Sequence, residues 1–132
     1  MQSATTALQC LVVEDEVLVG MDVEDALSQA GFAVRWVASP QGASEALETV
    51  RPDIVVLDVA LRDGACTSFA RELKRRGIPF VIHSGYPPRE APEELGGVPW
   101  LEKPADMPAL LAAVVSTLHA RPGDQAAVAV RP

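Results

Sequence analysis

The sequence predicts an α/β fold in which five parallel strands alternate with helices around a single sheet. Three observations support this class. Short runs of β-branched and other apolar residues alternate with longer segments in which apolar residues recur at helical spacing. Residues 54–57 are apolar at every position, which is typical of a central strand covered on both faces. Glycine and proline separate these segments at positions that end helices.

The first strand, helix and second strand occupy the N-terminal third of the chain. Residues 11–13 are short and rich in valine, which predicts a buried strand. Apolar residues at helical spacing over residues 16–30 predict the first helix, and Gly31 is a good stop for it. Residues 34–37 are mostly β-branched or aromatic and therefore predict the second strand.

The second and third helices flank the central strand. Ser39 is a typical helix cap, and Pro40 fits the first helical position after it. This second helix ends before Pro52, and residues 54–57 form the third strand. A third helix follows, with an apolar stripe that ends at Gly77.

The last third of the chain is less regular. Residues 80–82 predict the fourth strand, and the proline- and glutamate-rich residues 87–97 can hold only a short, weak helix. Residues 98–101 predict the fifth strand. Asp106 then caps a strongly amphipathic fifth helix that carries Pro108 in its first turn.

Strands and helices that alternate in this way are joined by right-handed crossovers. We therefore predict a doubly wound sheet of order 2-1-3-4-5, the flavodoxin-like (βα)5 arrangement. Residues 9–120 form this domain, residues 1–8 are expected to be disordered, and residues 121–132 are expected to be a flexible tail or a linker stub.

Composition and charge exclude several classes of function. The 132 residues carry a formal net charge of −7, which argues against nucleic-acid binding, and the basic residues at 71 and 74–76 fit a helix C-terminus. The 2 cysteines fit no metal or redox spacing. No apolar run approaches a membrane span, and the N-terminus lacks the features of a signal peptide. We therefore expect a cytoplasmic protein with no nucleic-acid or membrane partner.

Residues suited to phosphate and metal chemistry follow four of the predicted strands, at the edge where open α/β sheets bind ligands. They are Glu14, Asp15, Asp58, Ser84 and Lys103. Crowded carboxylates are unfavourable unless a cation relieves them, and Mg²⁺ is usually held by one or two carboxylates together with phosphate oxygens. Lys103 and Ser84 suit phosphoryl oxygens, and Asp58 suits a covalent phosphoryl acceptor. The sequence contains no Walker or dinucleotide glycine motif, which argues against ATP and NAD.

The same positions resemble the receiver domain of two-component response regulators in motif, order and spacing. The motifs are Val13-Glu14-Asp15-Glu16, Asp58-Val59-Ala60-Leu61 with Gly64, His83-Ser84-Gly85-Tyr86 and Leu101-Glu102-Lys103-Pro104. The resemblance covers about residues 9–120.

This resemblance implies that Asp58 accepts a phosphoryl group from a phosphohistidine on a sensor histidine kinase or a phosphotransfer protein. It also implies a set of Mg²⁺ ligands: Glu14, mostly through water, Asp15, Asp58 and the backbone carbonyl of Ala60. Lys103 would pair with the phosphoryl group, and Lys103-Pro104 would be a cis peptide.

The resemblance further implies a switch in which Ser84 moves toward the phosphoryl group, with Tyr86 and Trp100 as the aromatic residues that respond. The signal would reach a downstream protein, or a second copy in a homodimer, through the fourth helix, the fifth strand and the fifth helix. Trp100 is larger than the usual tyrosine or phenylalanine, so a packing role is an equal alternative. Ala60 and Tyr86 orient no water, and we therefore expect slow loss of the phosphoryl group.

Two alternative functions use the same acids. A Mg²⁺-dependent phosphatase with an aspartyl-phosphate intermediate usually needs a second acid two residues after its nucleophile Asp58, and that position is Ala60. A degenerate receiver that serves only as a scaffold would not need the complete set of site residues that this chain contains. The phospho-switch, which turns over no substrate, therefore fits best. Of the remaining candidates, Glu16 fits an acid in the first turn of a helix better than a metal ligand, and His83 fits a satisfied core or edge histidine better than a phosphodonor.

Overall fold

The computed structural model describes residues 7–59 and 66–120, which form a five-stranded parallel sheet with helices on both faces. The strands are β1 Gln9–Val13, β2 Ala33–Val37, β3 Ile54–Leu57, β4 Phe80–Ser84 and β5 Trp100–Glu102. The helices are α1 Val17–Gln29, α2 Pro40–Thr49, α3 Cys66–Arg76 and α4 Met107–His119. The strand order is β2-β1-β3-β4-β5 with every pair parallel, so the predicted doubly wound sheet is confirmed.

Alternating side chains of the central strands form two cores, one on each face of the sheet. The core against α2 and α3 takes from the strands Leu11, Val13, Val55, Leu57 and Ile82, among others. The core against α1 and α4 takes Cys10, Val12, Ile54, Val56 and Val81. Every residue of β3 is buried, as predicted for the central strand, because helices cover both of its faces.

Local signals in the sequence define where two of the helices begin. The Ser39 side chain accepts a hydrogen bond from the Gly42 N–H at 3.0 Å, with Pro40 at the first helical position of α2. The Asp106 side chain accepts one from the Ala109 N–H at 2.7 Å at the start of α4. Both predicted caps are therefore present.

The connection between β4 and β5 contains no α-helix. Two 3-10 turns, Pro88–Glu90 and Glu93–Leu95, stand where the sequence predicts a short, weak fourth helix. Prolines before and inside this segment lack the N–H groups that an α-helix needs, so its hydrogen-bond ladder cannot form. β5 also begins at Trp100, two residues later than predicted, because Pro99 has no N–H to donate to a ladder. The expected output surface therefore has turns in place of a fourth helix.

The β4–β5 connection, residues 85–99, is tied to α3. Arg71 forms a two-point ion pair with the Glu94 carboxylate, and the Lys74 Nζ donates to the Glu94 carbonyl oxygen at 2.6 Å. The Leu95 side chain is buried in the core against α2 and α3. Basic residues in the last turn of α3 were predicted to complement the helix dipole, and they lie there.

No helix within residues 7–59 and 66–120 is both long and apolar enough to cross a membrane. Several predicted features lie outside the described residues. They are the first six residues of the N-terminus, the tail at 121–132, and Ala60, Leu61 and Gly64 of the motif that follows β3.

Candidate functional site

The carboxyl edge of the sheet holds the predicted site residues in place through the main chain. The Asp58 N–H donates to the Val13 oxygen at 3.0 Å, which extends the pairing of β1 and β3 by one residue. The Lys103 N–H donates to the Ser84 oxygen at 2.7 Å in the same way beyond β5. The peptide bond between Lys103 and Pro104 is cis, as the resemblance predicts.

The Lys103 ammonium lies at the centre of a group of carboxylates. Its Nζ is 2.8 Å from Glu14 Oε1, 2.9 Å from Asp58 Oδ2 and 2.9 Å from Glu16 Oε1. The exposed fractions of the side chains are 13% for Lys103, 3% for Glu14 and 4% for Asp58, against 62% for Glu16. The strand order therefore brings the predicted acids and the lysine together at one buried point.

Burial and crowding control the protonation of this group. Burial raises the pKa of Glu14 to about 7; the hydrogen bond from Lys103 opposes this shift and the nearby charge of Asp58 adds to it. Burial by itself would lower the pKa of Lys103, but its hydrogen bonds to Glu14, Asp58 and Glu16 outweigh that effect, and the pKa is raised. Lys103 therefore stays charged, and one ammonium faces three carboxylates.

The same carboxylates fit a hard divalent cation. Ligand oxygens of Glu14, Glu16 and Asp58 all lie within 4.8 Å of one another. Mg²⁺ prefers oxygen ligands and needs only one or two carboxylates from the protein when a phosphoryl group supplies further oxygens. The surplus of negative charge around Lys103 also favours a second cation. The residues present therefore fit Mg²⁺.

The acids whose oxygens lie together, which we call the geometric group, are Glu14, Glu16 and Asp58. This group differs from the predicted ligand set in one acid. Asp15 is half-buried and is not a member of the group within residues 7–59 and 66–120, whereas Glu16 is. Glu16 lies at the N-cap position of α1, and its N–H donates to Glu14 Oε2 at 3.1 Å. The chain turns here so that both acidic side chains point to Lys103. The spacing of two residues between these acids is the only sequence signal for this pairing. The Ala60 carbonyl lies outside the described residues.

The three predicted switch residues form a chain of hydrogen bonds. Ser84 is fully buried, and its Oγ accepts from the Tyr86 N–H at 3.1 Å. The Trp100 indole N–H donates to the Tyr86 carbonyl oxygen at 2.8 Å, while its ring packs against the core of α2 and α3. The Tyr86 side chain is exposed. Trp100 thus makes the packing contacts that its alternative role predicts. It is also connected to Ser84 through the hydrogen bonds of the Tyr86 main chain.

Two contacts to the site were not predicted from the sequence. The Trp36 indole N–H on β2 donates to the Glu14 carbonyl oxygen at 2.9 Å. The buried Cys66 thiol at the start of α3 donates to the Asp58 carbonyl oxygen at 2.9 Å. Neither residue belongs to a recognisable motif, because both contacts depend on how separate elements pack.

His83 lies on β4 beside this group of charges. Its side chain is 2% exposed, and neither ring nitrogen has a hydrogen-bond partner among residues 7–59 and 66–120. Burial lowers the pKa of His83, and the charge of Lys103 lowers it further. The prediction of a core histidine is right about its burial, but the prediction of a satisfied one is wrong within the described residues. His83 is one of the residues that line a cleft of about 400 Å³ between the start of α1 and the β5–α4 loop.

The chain is similar in sequence to known proteins. The sequence model of the response regulator receiver domain matches residues 10–115. The chain is 30% identical over 118 residues to the transcriptional regulatory protein PdtaR of Mycobacterium tuberculosis, an alignment that covers 84% of this chain and 57% of that protein. It is also 30% identical to the phyllosphere-induced regulator PhyR of Methylorubrum extorquens, covering 86% of this chain and 44% of PhyR. The chain thus spans about half the length of these curated relatives.

Solved structures show the same fold. A response regulator receiver protein from Sinorhizobium medicae is 31% identical, with a TM-score of 0.72 over 89% of this chain and 98% of that one. The chemotaxis response regulator CheY4 of Vibrio cholerae is 21% identical with a TM-score of 0.73, over 86% of this chain and 99% of that one. The latter similarity concerns the fold alone.

Proposed function

The chain belongs to the response regulator receiver domain family of two-component systems, and on that premise we propose that Asp58 accepts a phosphoryl group from a partner phosphohistidine in a Mg²⁺-dependent reaction. The observation that carries the proposal is the buried contact of 2.9 Å between Lys103 Nζ and Asp58 Oδ2. An acid with a purely structural role would not need a lysine that also contacts two further carboxylates. A phosphoryl acceptor needs such a cation beside it, because the transferred group brings additional negative charge to the same point.

The chain's own residues supply most of the requirements of the reaction. The Asp58 carboxylate oxygen attacks the phosphorus, the new O–P bond forms, and the electron pair of the broken P–N bond stays on the partner imidazole. The Lys103 ammonium neutralises charge on the phosphoryl oxygens, and its strand-end position holds it beside Asp58 before the group arrives. The Ser84 hydroxyl accepts from the Tyr86 N–H, which leaves its own proton available for a phosphoryl oxygen.

Mg²⁺ would be held by Glu14 and Asp58, with Asp15 as the third acid and the Ala60 carbonyl as a further ligand. When bound, the ion supplies charge neutralisation at the phosphoryl oxygens. Glu16, which is exposed and already paired with Lys103, serves in this proposal to hold the lysine. Glu14 and Asp58 contact Lys103 from the buried side. An uncompensated charge on a buried acid costs more free energy than one on an exposed acid, so these two acids gain most from a bound cation.

An exposed apolar patch beside the site supports a protein as the phosphodonor. Val17, Leu18 and Met21 on the first turns of α1 have exposed fractions of 62%, 78% and 52%. A phosphohistidine on a sensor kinase or phosphotransfer protein must come within bonding distance of Asp58, so its carrier has to contact the rim of the site. An apolar patch of this kind suits such a contact.

The output of the proposed switch is a changed protein-binding surface. The hydrogen-bonded chain from Ser84 through Tyr86 to Trp100 leads from the phosphoryl position to β5 and the β4–β5 connection. A movement of Ser84 toward the phosphoryl group would break its bond with the Tyr86 N–H and release that connection. We place the contact for a downstream protein, or for a second copy of the chain, on this connection, β5 and α4.

Labelling with a small phosphodonor and Mg²⁺, followed by intact mass measurement and sizing, tests the proposal. The wild type should gain one phosphoryl group, Asp58→Asn should gain none while keeping its unfolding midpoint, and removal of Mg²⁺ should abolish labelling. Labelling of Asp58→Asn at the wild-type level would refute the assignment. Continuous hydrolysis of excess phosphodonor would favour the phosphatase, and a wild type that is never labelled would favour the scaffold.

A further inference from the structure

We propose that Trp36 is a positioning residue for the acid loop, which we define as residues 14–16, and that its indole N–H sets the affinity of the site for Mg²⁺. The proposal deepens the function proposed above and rests on it. Trp36 lies on edge strand β2 and its indole N–H donates to the Glu14 carbonyl oxygen, so we expect it to act through Glu14.

The peptide units on both sides of Glu14 are held by β2. The Glu14 N–H donates to the Val37 oxygen at 3.0 Å, and the Glu14 carbonyl oxygen accepts from Trp36 Nε1 at 2.9 Å. The first bond continues the β1–β2 ladder, and the second replaces the ladder bond that the chain loses as it turns away toward α1. Without the indole, the Glu14 carbonyl would lose this partner at a point where the side chain is buried.

The position of the indole is fixed by α1. A Cβ added at Gly20 would lie 2.2 Å from Trp36 Cζ2 and 2.3 Å from Cε2, so the ring rests directly on the helix backbone. Any larger residue at position 20 must push the ring away. Gly20 and Trp36 therefore form a matched pair, in which the missing side chain on α1 makes room for the ring that reaches Glu14.

The orientation of Glu14 affects the rest of the acid loop through hydrogen bonds. The Glu14 carboxylate accepts from both the Glu16 N–H and Lys103, so a rotation of the Glu14 main chain moves the oxygens that face the cation. Groups that orient metal ligands also affect metal affinity, commonly by about tenfold or more when the group is removed. For loss of one neutral hydrogen bond we expect the Mg²⁺ dissociation constant to rise roughly 3- to 10-fold.

The test compares Trp36→Phe, which keeps an aromatic ring and removes the donor, with Val114→Ala, which removes buried volume from the same core without touching the loop. Mg²⁺ binding is measured by calorimetry, and labelling is measured across Mg²⁺ concentrations. We expect Trp36→Phe to weaken Mg²⁺ binding while its labelling rate recovers at saturating Mg²⁺, and Val114→Ala to bind Mg²⁺ like the wild type. Equal dissociation constants for Trp36→Phe and the wild type, or a labelling rate that stays low at saturating Mg²⁺, would overturn the proposal.

A second pair of variants separates positioning from general destabilisation. Gly20→Ala keeps the indole donor but displaces the ring, and we expect it to weaken Mg²⁺ binding too. In the Gly20→Ala, Trp36→Phe double variant the loss should be no larger than in Trp36→Phe alone, because both changes act on the same bond. Wild-type affinity in Gly20→Ala, or fully additive losses, would contradict the assignment. Failure of the wild type to be labelled at Asp58 would instead overturn the proposed function, and the calorimetric comparison would still stand.

Discussion

Lys103 Nζ and Asp58 Oδ2 lie 2.9 Å apart at the ends of two strands that are separated in the sheet by β4. The lysine therefore reaches across a neighbouring strand to the acid, and it does so while contacting Glu14 at 2.8 Å. A buried ammonium that binds two buried carboxylates holds three charges that depend on one another. Loss of the ammonium would leave both buried carboxylates without a counter-charge, whereas loss of one carboxylate would leave the ammonium paired with the others.

Replacement of Lys103 should therefore affect stability as well as chemistry. We expect Lys103→Met to abolish labelling of Asp58 and to lower the free energy of unfolding by about 3 kcal/mol at pH 8, because two buried carboxylates lose their counter-charge. Added Mg²⁺ should restore part of that stability by binding the folded state. Urea unfolding with and without Mg²⁺ measures both effects. Lys74→Met, which removes an exposed lysine from α3, is the matched control, and equal stability of the two variants would contradict the prediction.

The third acid of the Mg²⁺ site can be identified by two matched substitutions. Asp15→Asn should weaken Mg²⁺ binding about tenfold or more, and Glu16→Gln should weaken it less, because the Glu16 carboxylate is mostly exposed and already paired with Lys103. Calorimetric titration of both variants with Mg²⁺ measures the difference. A larger effect of Glu16→Gln would assign the site to the geometric group of Glu14, Glu16 and Asp58 instead.

The features of the fold and of the candidate site differ in how far the sequence could predict them. The helix caps and the buried central strand follow from short-range rules, so Ser39, Asp106 and β3 could be placed from the sequence. Convergence of Asp58 and Lys103 follows from the strand order. The contact of Trp36 with Glu14 depends on the packing of α1 against β2, and no local pattern encodes it. Sequence spacing also does not predict which of two acids in one loop, Asp15 or Glu16, turns its side chain toward the other carboxylates.

The β4–β5 connection shows a different limit. Its prolines predict that a regular helix fails, but they do not predict what replaces it. The turns are held by tertiary contacts, namely Leu95 in the core and Glu94 on α3. Contacts of this kind arise only after the chain has folded, because Arg71 and Glu94 are 23 residues apart in sequence.

The Arg71–Glu94 ion pair should restrain this connection without stabilising the whole protein. We expect Glu94→Gln to increase amide hydrogen exchange over residues 87–97 and to leave the unfolding midpoint nearly unchanged, because exposed ion pairs contribute little to global stability. Exchange monitored by mass spectrometry measures the local effect. Glu72→Gln, which removes the partner of Arg75 and Arg76 within α3, is the control and should leave residues 87–97 protected. Unchanged exchange in Glu94→Gln would show that Leu95 and the bond from Lys74 to the Glu94 carbonyl oxygen hold the segment without the ion pair.

His83 predicts a stability that depends on pH. Its pKa is lowered in the folded state, chiefly by burial, from the ordinary value of 6.5, so the unfolded chain binds a proton more readily than the folded one. The associated stability is complete above pH 6.5 and is lost as the pH falls from 6.5 toward the lower pKa of the folded state. His83→Gln, which cannot titrate, should lose less stability than the wild type over that interval.

The second histidine of the chain provides the control for this experiment. His119 lies exposed at the end of α4, so His119→Gln should keep the pH dependence of the wild type. Free energies of unfolding in urea, measured at several values between pH 5 and pH 8, give the three profiles. If the His83→Gln and wild-type profiles run parallel through this range, His83 does not titrate differently in the two states. Glu14 contributes a slope of the opposite sign, because burial raises its pKa to about 7 and the folded state therefore binds its proton more readily than the unfolded chain does.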